Sequence, residues 1–324
     1  MDYRTLTGTG ALVSRISLGS FFTFGSQLTE TDAIRMVHHA IDAGVNFIDT
    51  ADIYGRGASE TILGKALEGR RNGLVLASKV GNQVGEHKLR DIGLNRWHLM
   101  RGVEASLQRL RTDCLDVLYF HKPDYNTPLD ESLAAADLLV RQGKVLYLGM
   151  SNFAAWQICQ AQAIAERDRL TKPVLAQVVY NLIARSAERE FLPFCRDQRV
   201  GVTVYNPLAA GLLTGKHRAD APPATGTRFA LNKEYYDRYW REANFDAVAQ
   251  LVKIAAEAGM SPVALALRWL AAQPAVDSIV IGASSIAQLD ENVAAWAGGL
   301  DQDTLEACDR VWQRLGGDTF QYNR

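Results

Sequence analysis

Short runs of apolar and β-branched residues alternate with amphipathic segments along most of the chain. The segments between the runs, among them 30–44, 99–111 and 131–144, repeat apolar residues at the spacing of a helix. Eight strand-then-helix units predict an α/β fold, a (β/α)8 TIM barrel with a parallel sheet. The eight runs begin at residues 15, 46, 74, 115, 145, 174, 200 and 278.

The two ends of the chain lie outside this repeat. Short β-prone runs flank Gly8 and Gly10, which predicts an N-terminal β-hairpin. After the eighth unit, residues 301–317 have the pattern of one extra helix, and a short tail follows at 318–324.

Residues 216–240 interrupt the pattern between the seventh strand and its helix, and they are rich in Pro, Gly and Ala. Loops that follow the strands form the active-site face of such barrels, so we predict a lid over cofactor or substrate. A linker between two domains is the alternative. Because the helix and strand that follow complete the eighth unit, we favour one barrel domain over residues 1–324.

Composition limits the class of partner. A hydrophobic content of 48% with 22% charged residues is enough for a large core. The net charge of -1 supplies no long-range field for nucleic acid or an anionic membrane, so neither is an expected partner. No apolar run approaches the roughly 20 residues that span a bilayer, and no signal-peptide run begins the chain. We therefore expect a cytoplasmic protein without membrane insertion.

The cysteines are widely scattered, with no C-x-x-C pair and no histidine at metal-ligand spacing. This spacing predicts reduced thiols and no metal site. The four residues are Cys114, Cys159, Cys195 and Cys308.

Polar residues stand where several predicted strands end. Asp49 ends NFID, Lys79 ends LVLASK, and His121 ends LDVLYFH; Tyr54 lies five residues after Asp49. Charged residues are rarely buried unless paired, so we expect an ion pair between Asp49 and Lys79, with Tyr54 and His121 facing the same point. Taken singly, each is more often a solvated loop residue or a structural residue; together, at four strand ends, they indicate a catalytic site.

The segment FIDTADIYGRGASETILGKAL resembles the signature of the aldo-keto reductase superfamily, and ASKVG and YFHKPD resemble the segments that carry its lysine and histidine. The resemblance runs from YRTL near residue 3 to the terminal YNR. It implies an NAD(P)H-dependent oxidoreductase that reduces the carbonyl of a small aldehyde or ketone. The catalytic residues that it implies are Asp49, Tyr54, Lys79 and His121.

These residue types suit carbonyl reduction. Hydride delivery develops negative charge on the carbonyl oxygen, and a free tyrosine, with a pKa near ~10, is a poor acid at neutral pH. An ammonium about 4 Å away contributes roughly 4 kcal/mol at an effective dielectric of 20, enough to lower the pKa of Tyr54 by up to about three units. Lys79 would supply that charge and Asp49 would hold it, while His121 would orient the carbonyl.

No G-x-G-x-x-G motif follows a strand, and GRGASE has Glu60 where the last glycine would stand. The resemblance instead implies a dispersed nicotinamide site. Ser151, Asn152 and Gln177 would hold the carboxamide, and Tyr205 would stack on the ring. Tyr205 and Gln177 as buried structural residues are the alternative.

The rest of the implied cofactor site lies in three loops. Gly282 and Ser284 open a helix suited to an anion, where the 2'-phosphate and adenine would bind. Many family members carry an arginine where Gln288 stands, so NADH is an alternative to NADPH, although Arg228 in the insertion would supply positive charge. The remaining residues that the resemblance assigns to the cofactor are Gly19, Ser20, Phe21, Asp49, Asn206, Pro207, Leu208, Ala209, Gly211, Lys216, Glu291 and Asn292.

The longest similarity is to the branch of potassium-channel β subunits and their bacterial relatives, which adds a cofactor-binding regulatory subunit as a second hypothesis. The chain begins two residues before the hairpin, without an N-terminal extension that would plug a pore, and this favours a free-standing enzyme. A reductase of nucleotide-linked sugars is a third hypothesis, and the oligomeric state, including a homo-oligomer, is left open. Candidate pocket residues are Phe24, Ile53, Tyr54 and His121, with Phe21, Phe22 and Trp97; each apolar one is equally compatible with core.

Overall fold

Eight parallel strands close into a barrel, preceded by a two-stranded antiparallel hairpin. The computed structural model describes residues 1–87 and 90–316, so the predicted tail 318–324 lies outside the described residues. The hairpin strands are β1 (Tyr3–Thr5) and β2 (Leu12–Ser14). The barrel strands are β3 (Ile16–Gly19), β4 (Phe47–Asp49), β5 (Val75–Val80), β6 (Leu115–Phe120), β7 (Val145–Ser151), β8 (Pro173–Val179), β9 (Gly201–Tyr205) and β10 (Ser278–Ile281).

The strands follow one another around the barrel in chain order, and β10 closes the ring between β9 and β3. Their residues are buried almost without interruption instead of alternating, as expected when side chains fill the barrel on one face and helices cover the other. The predicted TIM barrel and its N-terminal hairpin are therefore confirmed.

Helices follow the strands at the predicted places, and the extra C-terminal helix is present. Their bounds are α1 (Glu30–Asp42), α2 (Ala58–Ala66), α3 (Arg96–Leu110), α4 (Leu129–Arg141), α5 (Ala155–Asp168), α6 (Phe191–Asp197), α7 (Arg228–Leu231), α8 (Lys233–Tyr239), α9 (Glu242–Glu257), α10 (Pro262–Ala271), α11 (Ile286–Ala295) and α12 (Gln302–Gly316). Short 3-10 helices span Tyr54–Gly57, Ser186–Glu188 and Ala209–Thr214.

Local sequence explains where several helices begin. Thr29 and Asn95 precede α1 and α3, and each side-chain oxygen accepts a hydrogen bond from a backbone N–H of the first turn. Ser261 does the same for α10, which has Pro262 as its first residue. These caps satisfy donors that would otherwise lack an intrahelical partner.

The hairpin packs against the starts of the barrel strands. Leu6 and Val13 belong to one buried cluster with Phe47, Val75 and Val117. Phe47 and Val75 are the first residues of β4 and β5, so this core lies toward the N-terminal ends of the strands. The opposite ends carry the loops that function in barrels of this class.

The described residues group into two compact units. Unit 1 contains the hairpin and all the barrel strands, except the last residue of β8; its ranges are Met1–Val178, Glu188–Tyr205 and Ala275–Leu289. Unit 2 contains the insertion and the helices after it, and within the described residues its ranges are Val179–Ala187, Asn206–Pro274 and 290–316. The assignment of the whole chain to one domain stays a prediction.

The insertion, which is predicted to be a lid, contains the short helices α7 and α8. Asn232 ends the first and caps the second, its side chain accepting hydrogen bonds from the N–H groups of Glu234 and Tyr235.

None of the helices in the described part of the chain has, by itself, the length and apolar character of a transmembrane span. The helices α9 and α10, which are bent by 89° relative to each other, meet that length and composition requirement only as a pair. No group of three or more metal-ligating side chains is found in the part of the chain that the structure describes.

Candidate active site

A buried ion pair lies at the C-terminal ends of β4 and β5. The ammonium of Lys79 is 2.5 Å from Oδ1 of Asp49 and donates a second hydrogen bond, of 2.7 Å, to the carbonyl of Thr50. Both charged side chains are almost completely buried. Parallel register brings these strand ends together, with Asp49 opposite Ala77, so the predicted ion pair is confirmed.

Burial lowers the pKa of Lys79, because removing the ammonium from water disfavours its charged form. The carboxylate of Asp49 opposes this effect by charge and by its hydrogen bond. The other oxygen of Asp49 accepts a 2.8 Å hydrogen bond from the amide of Gln177. Both oxygens of Asp49 therefore have partners, and Gln177 is itself part of the buried network.

Tyr54 begins a tight turn whose next two residues, Gly55 and Arg56, have positive φ. The Lys79 ammonium lies 5.0 Å from the centroid of the Tyr54 ring. The ring of His121 lies 5.7 Å away, edge to face, and that of Phe21 lies 4.7 Å away. The four predicted catalytic residues are thus brought together at one end of the barrel. They are called the tetrad below: Asp49, Tyr54, Lys79 and His121.

His121 follows the last residue of β6, and Nδ1 of its ring is buried without a hydrogen-bond partner among the described residues. Burial lowers the pKa of His121 well below its usual value, and the positive charges of Lys79 and Lys122 lower it further. The imidazole is therefore neutral near pH 7, a form that donates a hydrogen bond from one nitrogen.

Asn152 connects residues at the ends of β6, β7 and β9. Its amide nitrogen donates to the carbonyl of His121 and to Oγ of Ser151, and its oxygen accepts from the hydroxyl of Tyr205 at 2.8 Å. Its backbone is left-handed, with φ 64°. Ser151, Asn152 and Tyr205 therefore lie together as the sequence pattern predicts, but the Asn152 side chain is engaged with protein groups.

The predicted residues of the first loop surround the backbone of Asp49. Gly19 pairs with Asp49 across β3 and β4, and a Cβ on Gly19 would lie 2.5 Å from the Val280 side chain, so the packing requires glycine. The buried hydroxyl of Ser20 hydrogen-bonds the Asp49 carbonyl and the Thr50 hydroxyl. These residues hold the strand end in place.

The start of α11 is capped from within. Oε1 of Gln288 accepts hydrogen bonds from both the backbone N–H and the hydroxyl of Ser284, each at 2.9 Å. Both side chains are exposed, as is Gly282. Further along the same helix, Glu291 is exposed and Asn292 is buried.

In unit 2, residues 206–216 form a tight loop, here called the 206–216 loop. Pro207 and Ala209 are buried, and Leu208 and Gly211 are half-buried. At Gly211, with φ 98°, an added Cβ would lie 3.9 Å from the ammonium of Lys216. The glycine backbone therefore lies beside the positive charge of Lys216 and beside the ring of His217.

Arg228 begins α7 in the insertion, and its guanidinium lies 5.5 Å from the centroid of the Tyr235 ring. Arg238 contacts the same ring at 5.6 Å. The insertion thus contains cations placed over an aromatic ring, in addition to Lys216 at the end of the preceding loop.

The predicted pocket residues differ in environment. Phe24 is 1% exposed and ranks among the largest fully buried side chains, whereas Ile53 is half-buried. Trp97 is 51% exposed, so it is not core, and the guanidinium of Arg90 lies 5.3 Å from its ring centroid.

Sequence reasoning missed a second buried acidic cluster beside the tetrad. Glu60, noted above only as a misfit in a glycine motif, is fully buried and accepts hydrogen bonds from Ser78 at 2.5 Å and Arg109 at 2.7 Å. The carboxyl of Asp52 is also buried, and no side chain of the described residues donates a hydrogen bond to it. Burial raises the pKa of Asp52 well above its usual value, and the charge of Glu60 raises it further.

With this geometry in place, sequence comparison decides the family. A model of the aldo/keto reductase family matches residues 15–313. The chain belongs to the aldo/keto reductase family. Membership makes this aldo/keto reductase an oxidoreductase by class, and family members generally use a nicotinamide cofactor.

Its relatives include proteins of two descriptions. A probable voltage-gated potassium channel subunit beta of Arabidopsis thaliana is 38% identical over 91% of each chain. A protein of Bacillus subtilis described as the uncharacterized oxidoreductase YrpG is 37% identical over 98% of each chain. A putative potassium channel subunit beta of Schizosaccharomyces pombe is 35% identical over 91% of this aldo/keto reductase and 88% of the relative. The predicted branch of the family is confirmed.

Proposed function

We propose that this protein reduces the carbonyl of an aldehyde or ketone to an alcohol, with NADPH as the reductant and Tyr54 as the general acid. One observation carries the proposal: a buried Lys79–Asp49 ion pair lies next to the Tyr54 ring, and a neutral His121 faces the same ring. This combination of groups suits a reaction in which negative charge develops on a carbonyl oxygen.

The protein side of the reaction follows from the charges. The ammonium of Lys79 favours the tyrosinate form of Tyr54 and so makes the hydroxyl a better proton donor. Asp49 keeps that ammonium in place from one side, and Gln177 orients the carboxylate. His121, uncharged, donates a hydrogen bond that orients the carbonyl oxygen without competing for the proton. Bound NADPH supplies the hydride.

The residues present fit a dinucleotide. The ammonium of Lys216 beside the glycine backbone at position 211 suits a pyrophosphate, which is anionic and needs close approach to the backbone. Gln177, Ser151 and Tyr205 lie at successive strand ends with the tetrad and would hold the carboxamide and ring. The start of α11, with Ser284 and Gln288, would receive the adenosine end; Glu291, Asn292 and the Gly19–Phe21 loop complete the assignment.

The preference for NADPH rests on Arg228. Ser284 and Gln288 are neutral, and in this structure they hydrogen-bond each other. A charge-assisted contact from arginine is about twice as strong as a neutral hydrogen bond, so Arg228 is the group in the insertion that distinguishes a 2'-phosphate from a 2'-hydroxyl.

The direct test is Tyr54→Phe, which removes the proposed acid and keeps the ring. We expect kcat to fall by about 100-fold or more while NADPH affinity, followed by fluorescence titration, stays within about twofold. Tyr125→Phe is the control, because it removes the hydroxyl of a tyrosine that is 83% exposed and outside the proposed site. Turnover like that of the wild type in Tyr54→Phe would exclude this mechanism.

A regulatory subunit is the second candidate, because relatives 35–38% identical are described as potassium channel subunits beta. Copurification of a membrane channel with the tagged protein, together with no NADPH oxidation, would favour it. A screen of aromatic aldehydes, methylglyoxal, pyridoxal and keto sugars tests the enzymatic proposal, and turnover of nucleotide-linked keto sugars would identify the third candidate.

A further inference from the structure

The 206–216 loop has an unfavourable backbone. Asn206, Ala209 and Ala210 all have positive φ, at 65°, 48° and 59°. Asparagine tolerates the left-handed region, but alanine does so at a cost in free energy. Such conformations persist only where the surrounding structure imposes them, and they concentrate at sites that clamp ligands.

A buried cluster of side-chain hydrogen bonds imposes this conformation at the start of the loop. The amide nitrogen of Asn181 donates to the Asn206 carbonyl at 2.9 Å and to the Tyr239 hydroxyl at 3.3 Å. The Asn206 amide nitrogen donates to the same hydroxyl at 3.1 Å, and its oxygen accepts from the N–H of Ala210 at 2.8 Å. Asn181, Asn206 and Tyr239 are all buried, so water does not replace these bonds.

Trp240, which follows Tyr239 directly, holds the other end of the 206–216 loop. The ring of His217, which follows Lys216 directly, lies 5.5 Å from the ring of Trp240 and 5.1 Å from that of Phe229. Phe245 packs against the same tryptophan at 5.0 Å. Two consecutive residues at the end of the insertion thus hold both ends of the loop, Tyr239 by hydrogen bonds and Trp240 by ring contacts.

We infer that Tyr239 and Trp240, with Asn181, are positioning residues that shape the 206–216 loop for the pyrophosphate of the dinucleotide. The insertion then serves as the support of the cofactor loop in addition to any role as a lid. This inference rests on the proposed use of a nicotinamide dinucleotide.

Tyr239→Phe tests it with a minimal change. The substitution keeps the ring but leaves two buried amide donors without their shared acceptor, so the loop relaxes and must be reordered when the cofactor binds. We expect NADPH and NADH to bind about tenfold more weakly, by similar factors, equivalent to about 1.4 kcal/mol. The value of kcat at saturating cofactor should change less than twofold, because the tetrad is untouched.

Tyr236→Phe is the matched control. It lies in the same helix, stacks on the Trp240 ring and is 39% exposed, so loss of its hydroxyl should leave cofactor affinity unchanged. Trp240→Leu should weaken both cofactors as Tyr239→Phe does, since it releases the other end of the loop.

The outcomes separate this inference from the proposed function. A wild-type protein that binds neither cofactor overturns both. If the wild type binds NADPH and Tyr239→Phe binds it with equal affinity, the positioning role alone is overturned. This holds even if the variant unfolds at a lower urea concentration. A loss for NADPH and not for NADH would also contradict it, because the pyrophosphate is common to the two.

Discussion

The strand-end site in unit 1 and the 206–240 segment in unit 2 hold their polar groups by different means. At the strand ends, parallel register brings Asp49 and Lys79 together, and the pair is buried. In the 206–240 segment, polar groups are positioned by short helices, by residues with left-handed backbone and by side-chain hydrogen bonds such as those of Tyr239. A sheet positions charges by its backbone, whereas an irregular segment depends on individual side chains.

The strand-end site also contains its own contrast. Asp49 and Asp52 are three positions apart and both buried, yet Lys79 and Gln177 pair with the first, whereas no described side chain donates a hydrogen bond to the second. Burial without a partner favours the protonated acid. The same short segment thus holds one carboxyl group in a buried ion pair and one whose pKa is raised by burial.

The largest expected effect comes from breaking the buried ion pair. Lys79→Met leaves the Asp49 carboxylate buried without its cation, which typically costs about 3–5 kcal/mol of unfolding free energy. Lys65→Met is the control: its 2.7 Å bridge to Glu30 is solvent-exposed, so about 1 kcal/mol or less is expected. Urea denaturation at pH 7 measures both. Equal losses would show that burial does not distinguish the two pairs.

Asp52→Asn should reveal the raised pKa of Asp52 through the pH dependence of stability. The folded pKa of Asp52 is raised above the unfolded value near 3.8, so its contribution to stability is complete below that pH and is lost as pH rises toward the folded pKa. The Asp52→Asn variant lacks this loss. Its free energy of unfolding should therefore rise relative to that of the wild type by up to about 1.4 kcal/mol per pH unit above pH 4. Burial is the largest cause of this raised pKa and the charge of Glu60 adds to it, whereas the charges of Arg109 and Lys79 oppose it.

The measurement is the free energy of unfolding from pH 4 to pH 9, for the variant and for Asp246→Asn, which changes an exposed aspartate. A constant difference between Asp52→Asn and the wild type across that range would mean that Asp52 ionises as readily in the folded chain as in the unfolded one.

Cofactor discrimination tests the insertion. Arg228→Ala should weaken NADPH about tenfold, equivalent to about 1.4 kcal/mol, and leave NADH nearly unchanged. Arg218→Ala is the control, because this arginine is exposed and bound to Asp220 at 2.7 Å. Calorimetry that finds the same NADPH affinity in all three proteins would remove the insertion from 2'-phosphate binding.

The smallest expected effect concerns Tyr205. Tyr205→Phe removes the hydroxyl that bonds Asn152, so we expect about 1 kcal/mol less stability, with cofactor binding retained by the ring. Tyr205→Ala should weaken NADPH and NADH by a similar factor, as fluorescence titration would show. A selective loss of NADPH would mean that Tyr205 contacts a different part of the cofactor.

The sequence by itself determined the barrel, the hairpin, the family and the meeting of the four strand-end residues. Apolar runs mark strands, and parallel strands end at the same face, so Asp49, Lys79 and His121 were bound to meet once the fold was known. The extra C-terminal helix could also be predicted from the sequence, because the hydrophobic periodicity that marks it is local.

Only the tertiary structure decided how individual polar groups are satisfied. Hydrogen-bond partners such as Tyr239 for Asn206, or Gln177 for Asp49, are far apart in the chain, and no local pattern encodes them. The raised pKa of Asp52 likewise depends on burial and on Glu60, which lies eight positions further along the chain. Desolvation and long-range pairing are properties of the packed chain, so they become visible only when the chain is folded.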